Sequence, residues 1–178
     1  MIIQVRGVSG SGKTTVVREV MSRVGGKWNP HYVKGRRKPL YYTNGNLVVL
    51  GHYESPCGGA DTLGSPPKAF QFARQFDESS IVLYEGLLVS DDVNWISKAK
   101  DSKIIFLTTG IDKCLRRIER RRKRRRTKRA LNKEKTIYRV STLERTRRRL
   151  LDSGMYCVKR SQRQAIRLIL KWIEERER

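Results

Sequence analysis

Gly7-Val8-Ser9-Gly10-Ser11-Gly12-Lys13-Thr14 fits the pattern G-x-x-x-x-G-K-[ST] at every fixed position. The glycines let the backbone wrap closely around phosphate oxygens, and the loop N–H groups and the following helix N-terminus point at the anion. Lys13 is of a length to reach the β- and γ-phosphates, and the Thr14 hydroxyl is a ligand for Mg²⁺. The flanks agree. Ile2, Ile3 and Val5 make a short buried-strand run over 2–6, and Val16, Val17, Val20, Met21 and Val24 recur at helical spacing over 13–24. Strand, loop and helix in that order predict a nucleoside triphosphate site. Its expected contacts are Gly7, Ser9, Gly10, Ser11, Gly12, Lys13, Thr14 and Thr15.

Outward from the loop, strands and helices alternate. A polar, basic loop is expected over 25–37. Leu40 to Thr43 and Leu47 to Leu50 flank Asn44-Gly45, which suits a tight hairpin turn. A Gly/Pro-rich loop fills 51–67, then a helix is expected over 67–77. Ile81 to Tyr84 reads as a buried strand ending at Glu85-Gly86. A helix over 91–100, capped by Ser90 or Asp91, precedes a strand over 103–107. From about 111 a helix begins with an apolar stripe of Ile111, Cys114, Leu115 and Ile118. A helix at 134–152 is expected to pack through Ile137, Val140, Leu143, Leu150 and Leu151, and to end at Gly154. A strand over 155–158 leads to a last helix with a Ser161/Gln164 capping box and Ile166, Ile169, Leu170 and Ile173 inward. This alternation predicts an α/β fold: a mostly parallel sheet, helices on both faces, and a small β-hairpin insertion. A length of 178 residues suits one domain.

Charge is distributed unevenly. The chain carries +23, of which residues 1–112 hold 14 Lys+Arg against 10 Asp+Glu, and residues 113–178 hold 26 against 7. Between Arg116 and Arg129, 11 of 14 residues are Lys or Arg, with Glu119 as the one acid. A helix with no apolar face cannot lie on a core, so this run is expected to project as an Arg-rich helical lid at about 116–133. Charge on this scale calls for a polyanionic partner, and nucleic acid is the natural match. Arg116 and Arg120 are candidates for stabilising the transferring phosphoryl group, and Arg117 and Arg121 for holding the nucleotide. Arg122, Lys123, Arg124, Arg125, Arg126 and Arg129 are candidates for contacts to DNA.

Two acids could complete the chemistry. Glu85, at the C-terminal end of a buried strand, is placed to hold a Mg²⁺ shell or orient an acceptor. Asp61 lies in the long loop Gly51 to Leu63, where an acceptor pocket is plausible, and suits the role of the base that takes the acceptor's proton; Glu54 competes with it. Tyr53 is a candidate for stacking on a base. His31 and His52 are assigned no role. Cys57, Cys114 and Cys157 form neither a disulfide framework nor a zinc site. No apolar run approaches a membrane span, and the N-terminus reads as a core strand, so a cytoplasmic protein is expected.

The loop form Gly-x-Ser-Gly-Ser-Gly-Lys-Thr resembles that of small-molecule and nucleotide kinases of the P-loop class. Leu83-Tyr84-Glu85-Gly86 is similar to the Glu-Gly strand end of uridine-kinase-like enzymes. Together with the arginine helix and Gly58-Gly59-Ala60-Asp61-Thr62-Leu63, the chain resembles the phage P-loop kinases of DNA hypermodification, of the 5-hydroxymethyluracil DNA kinase type. The resemblance implies a P-loop kinase sheet and transfer of the ATP γ-phosphoryl group to a hydroxyl on DNA in the host cytoplasm. Two alternatives stand beside it: a nucleoside or nucleotide kinase acting on free mononucleotides, and a DNA-binding ATPase with no phosphoryl acceptor.

Overall fold

In the computed structural model, residues 1–54, 59, 63, 66–76, 78–86, 93–97, 99, 101–127 and 131–177 are described. The strands are β1 (Ile2–Arg6), β2 (Asn29–His31), β3 (Tyr41–Asn44), β4 (Leu47–Leu50), β5 (Ile81–Gly86), β6 (Ser102–Leu107) and β7 (Tyr156–Arg160). The helices are α1 (Lys13–Val24), α2 (Pro66–Ala73), α3 (Val93–Ile96), α4 (Ile111–Arg124), α5 (Lys133–Asp152) and α6 (Gln162–Glu177). They build a seven-stranded sheet in the order β2-β3-β4-β5-β1-β6-β7. The block from β4 to β7 is parallel, and β2 and β3 extend it antiparallel at one edge.

Strand β1 is central because it pairs with β5 on one side and β6 on the other. Its C-terminal end therefore delivers the phosphate loop into the middle of the sheet, next to the end of β5. Both sheet faces are covered, which is why the parallel strands read as nearly continuous apolar runs. On one face Val16, Val17 and Val20 of α1 and Ile166, Ile169 and Ile173 of α6 pack against Ile3, Val5, Leu83 and Ile105. Each such side chain contributes about 1.5–3 kcal/mol by leaving water. On the other face Val93 and Ile96 of α3, Cys114 of α4, and Leu143 and Leu150 of α5 pack on Ile104, Phe106 and Cys157. Ala69 and Ala73 of α2 cover Val48, Leu50, Val82 and Tyr84.

Several boundaries differ from those the residue pattern predicts. The expected loop over 25–37 contains β2. Its middle residue is Pro30, which cannot donate to a ladder and is tolerated because β2 lies at the sheet edge. Helix α2 stops at Ala73, with Arg74 and Gln75 in a turn. Within the expected helix 91–100, α3 is seen over Val93–Ile96, with Ser97 in a turn; Ser90 and Asp91 lie outside the described residues. The hairpin turns at Gly45-Asn46, and Asn44 belongs to β3, where its side chain donates to the Gly25 carbonyl at 2.8 Å.

Helix α5 packs through Leu143 and Leu150 as expected, but the rest of its inward face differs from the one predicted. Thr136, Leu143, Thr146 and Leu150 are buried, whereas Ile137, Val140 and Leu151 are exposed. The buried line holds two threonines whose hydroxyls bond back to Asn132 and Thr142 carbonyls, so polar residue types occupy inward positions. Asn132 caps the helix by accepting from the Lys135 N–H at 2.6 Å. The reciprocal bonds of the Ser161/Gln164 capping box form as expected, at 3.0 and 3.4 Å. In α4, Cys114 and Ile118 are buried and Lys123 to Thr127 are exposed. Cys114 and Cys157 are buried free thiols; Cys57 lies outside the described residues. Among the described residues no helix is long and apolar enough to cross a membrane.

Candidate active site

The phosphate loop closes with a Ser11 N–H to Val8 carbonyl bond at 3.1 Å, and α1 starts at once with Val16 N–H to the Gly12 carbonyl at 3.0 Å. Gly12 is the N-cap residue, in the left-handed region at φ 94°, and no side chain caps the helix. No acid stands in the first turn of α1. The first N–H groups therefore keep their donors and their positive end of the helix dipole for an outside anion. Lys13 Nζ rests inside the loop on the carbonyls of Gly7 and Val8, at 3.0 and 3.3 Å. Ser11 Oγ is buried and has no hydrogen-bond partner among the described residues.

Three distant side chains hold the loop in this shape. Thr109 Oγ1 and Gln162 Nε2 each donate to the Ser11 carbonyl at 2.7 Å, and Arg117 Nη1 donates to the Gly10 carbonyl at 3.1 Å. A Cβ on residue 12 would run into the Gln162 amide and stand 3.2 Å from Arg117 Nη1, so Gly12 serves this close approach as well as the turn. The elements that carry these clamps are the ends of β6 and β7 and the second turn of α4. Local sequence holds no sign of them. They meet the loop only because the sheet order sets β6 and β7 beside β1.

Glu85, on β5, is 4% exposed, and its carboxylate accepts a hydrogen bond from Thr14 Oγ1. Gly59 is bridged to His52, with the Gly59 N–H on the His52 carbonyl at 2.9 Å. Gly59 has φ 97°, and a Cβ there would stand 2.7 Å from Glu85 Oε1. The Gly59 backbone, within the expected acceptor loop, thus lies against the carboxylate beside the phosphate loop. Arg18 of α1 anchors the same loop by donating to the Tyr53 carbonyl from Nε at 2.9 Å and Nη2 at 2.5 Å.

The neighbouring groups are electrostatically perturbed. Burial, together with the nearby cations Lys38, Arg36 and Arg18, lowers the His52 pKa below its ordinary value, against the opposing pull of Glu54. Burial chiefly, with the Glu54 carboxylate to which it donates at 3.3 Å, holds the Tyr42 phenol up at about 12. Arg6, the last residue of β1, is 1% exposed. Its guanidinium bonds to Gln4 Oε1 at 3.1 and 2.5 Å and lies 5.2 Å from the Tyr84 ring centroid. Among the described residues it makes no ion pair. Lys13 and Arg117 touch the phosphate loop, Arg18 holds the Tyr53 carbonyl, and Arg6 Nη1 lies 3.2 Å from where a Cβ on Gly86 would stand, a positive setting suited to a polyphosphate. A buried-strand run that ends in an arginine is the signal in the residues that could have pointed to Arg6.

Of the expected site residues, the structure brings Gly7 to Thr14, Glu85 and Arg117 together. Thr15 is exposed on the first turn of α1. Arg116 and Arg120 are exposed, while Arg117, Arg121 and Arg122 are partly covered. Lys123, Arg124, Arg125 and Arg126 are exposed, as a surface for an anion requires. Tyr53 is a correction: it is 7% exposed, packs in the core, and donates from its hydroxyl to the Leu50 carbonyl at 3.2 Å, so its ring is not presented to a base. Asp61 and Arg129 lie outside the described residues. Among the described residues no cluster of three or more His, Cys, Asp or Glu could hold a metal by itself. The donor set of Thr14 hydroxyl and Glu85 carboxylate nevertheless fits Mg²⁺, which favours hard oxygen ligands and binds through one or two protein groups plus phosphates and water.

No protein-family model matches the chain. A gluconokinase from Sinorhizobium meliloti 1021 superimposes with a TM-score of 0.51 at 15% identity, covering 93% of this chain and 86% of that one, which shows the shared fold. The chain is 37% identical over 131 residues to a 5-hmdU DNA kinase of Pseudomonas phage PaMx11, covering 68% of this chain and 69% of the relative. It is 32% identical over 136 residues to a 5-hmdU DNA kinase of Pseudomonas phage M6, covering 67% and 71%. The chain belongs to the 5-hmdU DNA kinase family.

Proposed function

We propose that the chain transfers the γ-phosphoryl group of ATP to the 5-hydroxymethyl oxygen of 5-hydroxymethyluracil in DNA, in the host cytoplasm. One observation carries the reading beyond family membership: the Gly59 backbone lies on Glu85, which in turn accepts from Thr14 of the phosphate loop. Donor and acceptor sides therefore share one carboxylate.

The loop backbone and α1 N-terminus hold the β- and γ-phosphates, and Lys13 swings from its loop carbonyls to the phosphate oxygens. Thr14 and Glu85 are the groups that would hold Mg²⁺, which when bound neutralises charge on the phosphate oxygens. The hydroxymethyl oxygen forms the new bond to phosphorus, the bond from phosphorus to the β,γ-bridging oxygen breaks, and ADP leaves. The hydroxymethyl proton passes to a carboxylate. Asp61 is the base in this reading, with Glu54 as the competing group. Arg117 keeps the loop shaped, and the exposed arginines of α4 stabilise transferred charge and hold the DNA backbone.

The test is a labelling panel. Protein and γ-labelled ATP are incubated with ordinary DNA, 5-hydroxymethyluracil DNA, DNA with 5′-hydroxyl ends, RNA and free nucleotides. Label confined to 5-hydroxymethyluracil DNA supports the reading. Label on free nucleotides makes the chain a mononucleotide kinase. Free phosphate released on DNA addition, with no label on DNA, makes it an ATPase.

A further inference from the structure

From Val20 to Tyr53 the chain holds Arg23, Lys27, Lys34, Arg36, Arg37 and Lys38 and no acid. Four of these cations fall in residues 34–38, and Tyr32 to Lys38 are all exposed, Tyr32 at 56%. The segment is a built loop. Leu40 N–H bonds to the His31 carbonyl at 2.7 Å and closes its base, and Arg36 N–H bonds to the Val33 carbonyl at 3.0 Å to form the turn at its tip. Beneath it, the His31 ring stacks on Tyr41 at 4.3 Å between centroids, and Tyr41 packs edge-on against Phe76 at 5.2 Å. The base is therefore stiff while the basic tip is exposed.

The loop is also joined to the site. The Leu40 carbonyl accepts from Gly51 N–H at 2.7 Å, and the next residue, His52, is bridged to Gly59, which lies on Glu85. Arg36 and Lys38 are close enough to His52 to act on its charge. A basic loop with an exposed aromatic at its root thus stands on the acceptor side of the phosphate loop, and α4 stands on the donor side, touching it through Arg117.

We propose that residues 32–38 are a second DNA-contacting surface, which holds the strand carrying the acceptor base against the acceptor side of the site. Lys34, Arg36, Arg37 and Lys38 meet its phosphates, and Tyr32 stacks on a base or sugar of the same strand. The occupant is DNA, because a run of cations unrelieved by any acid and flanked by an exposed ring matches a strand with phosphates and bases in alternation. This rests on the DNA-kinase reading. A flipped or unpaired acceptor base costs a few kcal/mol to expose, and grip on both sides of the site is a source for it.

The experiment measures the affinity of the full chain for a fluorescent 5-hydroxymethyluracil oligonucleotide by anisotropy, from about 50 to 200 mM salt. In the K34A/R36A/R37A/K38A variant the slope of log affinity against log salt is expected to flatten by about 3–3.5, at roughly 0.7–0.9 for each of the four phosphates no longer neutralised. Retention of the ATP-induced rise in Tm shows that this variant is folded. Tyr32→Ala is expected to weaken binding at least about fivefold, and Tyr32→Phe to bind like the parent. An unchanged slope in the folded quadruple variant overturns the proposal, even where label reaches DNA. A flattened slope upholds it, even where no label reaches DNA and the kinase reading has failed.

Discussion

Thr14 and Glu85, 71 residues apart in the chain, are joined by a hydrogen bond from the Thr14 hydroxyl to the Glu85 carboxylate. One belongs to the phosphate loop and the other to the strand that leads toward the acceptor, so the bond ties the two halves of the site. Glu85→Gln keeps an oxygen that accepts from Thr14 and removes the charge. Turnover is expected to fall about 10²–10³-fold, the effect typical of removing one group that stabilises transition-state charge, while ATP still binds. Thr14→Val should lose activity and Thr14→Ser should keep most of it. Rates measured across a Mg²⁺ titration check this, and an unchanged Glu85→Gln profile removes the metal-side role.

Lys13 gives up the Gly7 and Val8 carbonyls when it turns to a phosphate. Lys13→Ala is expected to lower kcat/KM for label transfer by at least about 10²–10³-fold with little change in Tm. Transfer at the parent rate would mean that the loop assignment is wrong.

Gly59 tests the acceptor loop. A side chain there meets a left-handed backbone and the Glu85 carboxylate at 2.7 Å together. Gly59→Ala should cost about 1–2 kcal/mol of stability from the backbone alone. It should also reduce transfer by more than tenfold, because Glu85 or the loop must shift (~1.4 kcal/mol per factor of ten). Thermal unfolding and label transfer measured on the same preparation separate the two effects.

Glu144 binds α5 to β7. It pairs with Arg147 at 2.9 Å and with Lys159 at 2.9 Å, and chiefly through the Arg147 hydrogen bond its pKa falls from 4.5 to about 2. Because the folded value lies below the unfolded one, the network stabilises in full above about pH 4.5 and is lost as pH falls through about 2. The side chain is 31% exposed, so screening leaves on the order of 1–2 kcal/mol. Glu144→Gln should lower Tm at neutral pH and show a flatter loss of Tm below pH 4.5 than the parent protein.

What the residues revealed was local. The phosphate loop is eight consecutive residues between a strand and a helix, and Glu85 ends an apolar run, so both could be placed from sequence. The clamps on the loop could not, because Gln162, Arg117 and Thr109 lie 151, 107 and 98 residues from the carbonyls they hold. Tyr53 reads as an exposed aromatic in a Gly/Pro-rich loop; Arg18, holding its carbonyl, keeps the ring inward. The buried face of α5 was hidden because threonines line it while apolar Ile137 and Val140 face out. The basic loop at 32–38 was overshadowed by the denser run in α4, although it stands beside the acceptor side.

Transfer to the base is tested most directly by mass spectrometry of the nucleoside monophosphates released from 5-hydroxymethyluracil DNA after incubation with the protein and ATP, using nucleases without phosphatase. The expected product is 5-hydroxymethyldeoxyuridine monophosphate carrying a second phosphoryl group on its 5-hydroxymethyl oxygen, formed only with ATP and lost in Lys13→Ala. 5-Hydroxymethyldeoxyuridine monophosphate with no second phosphoryl group alongside consumed ATP would rule out phosphoryl transfer to the base.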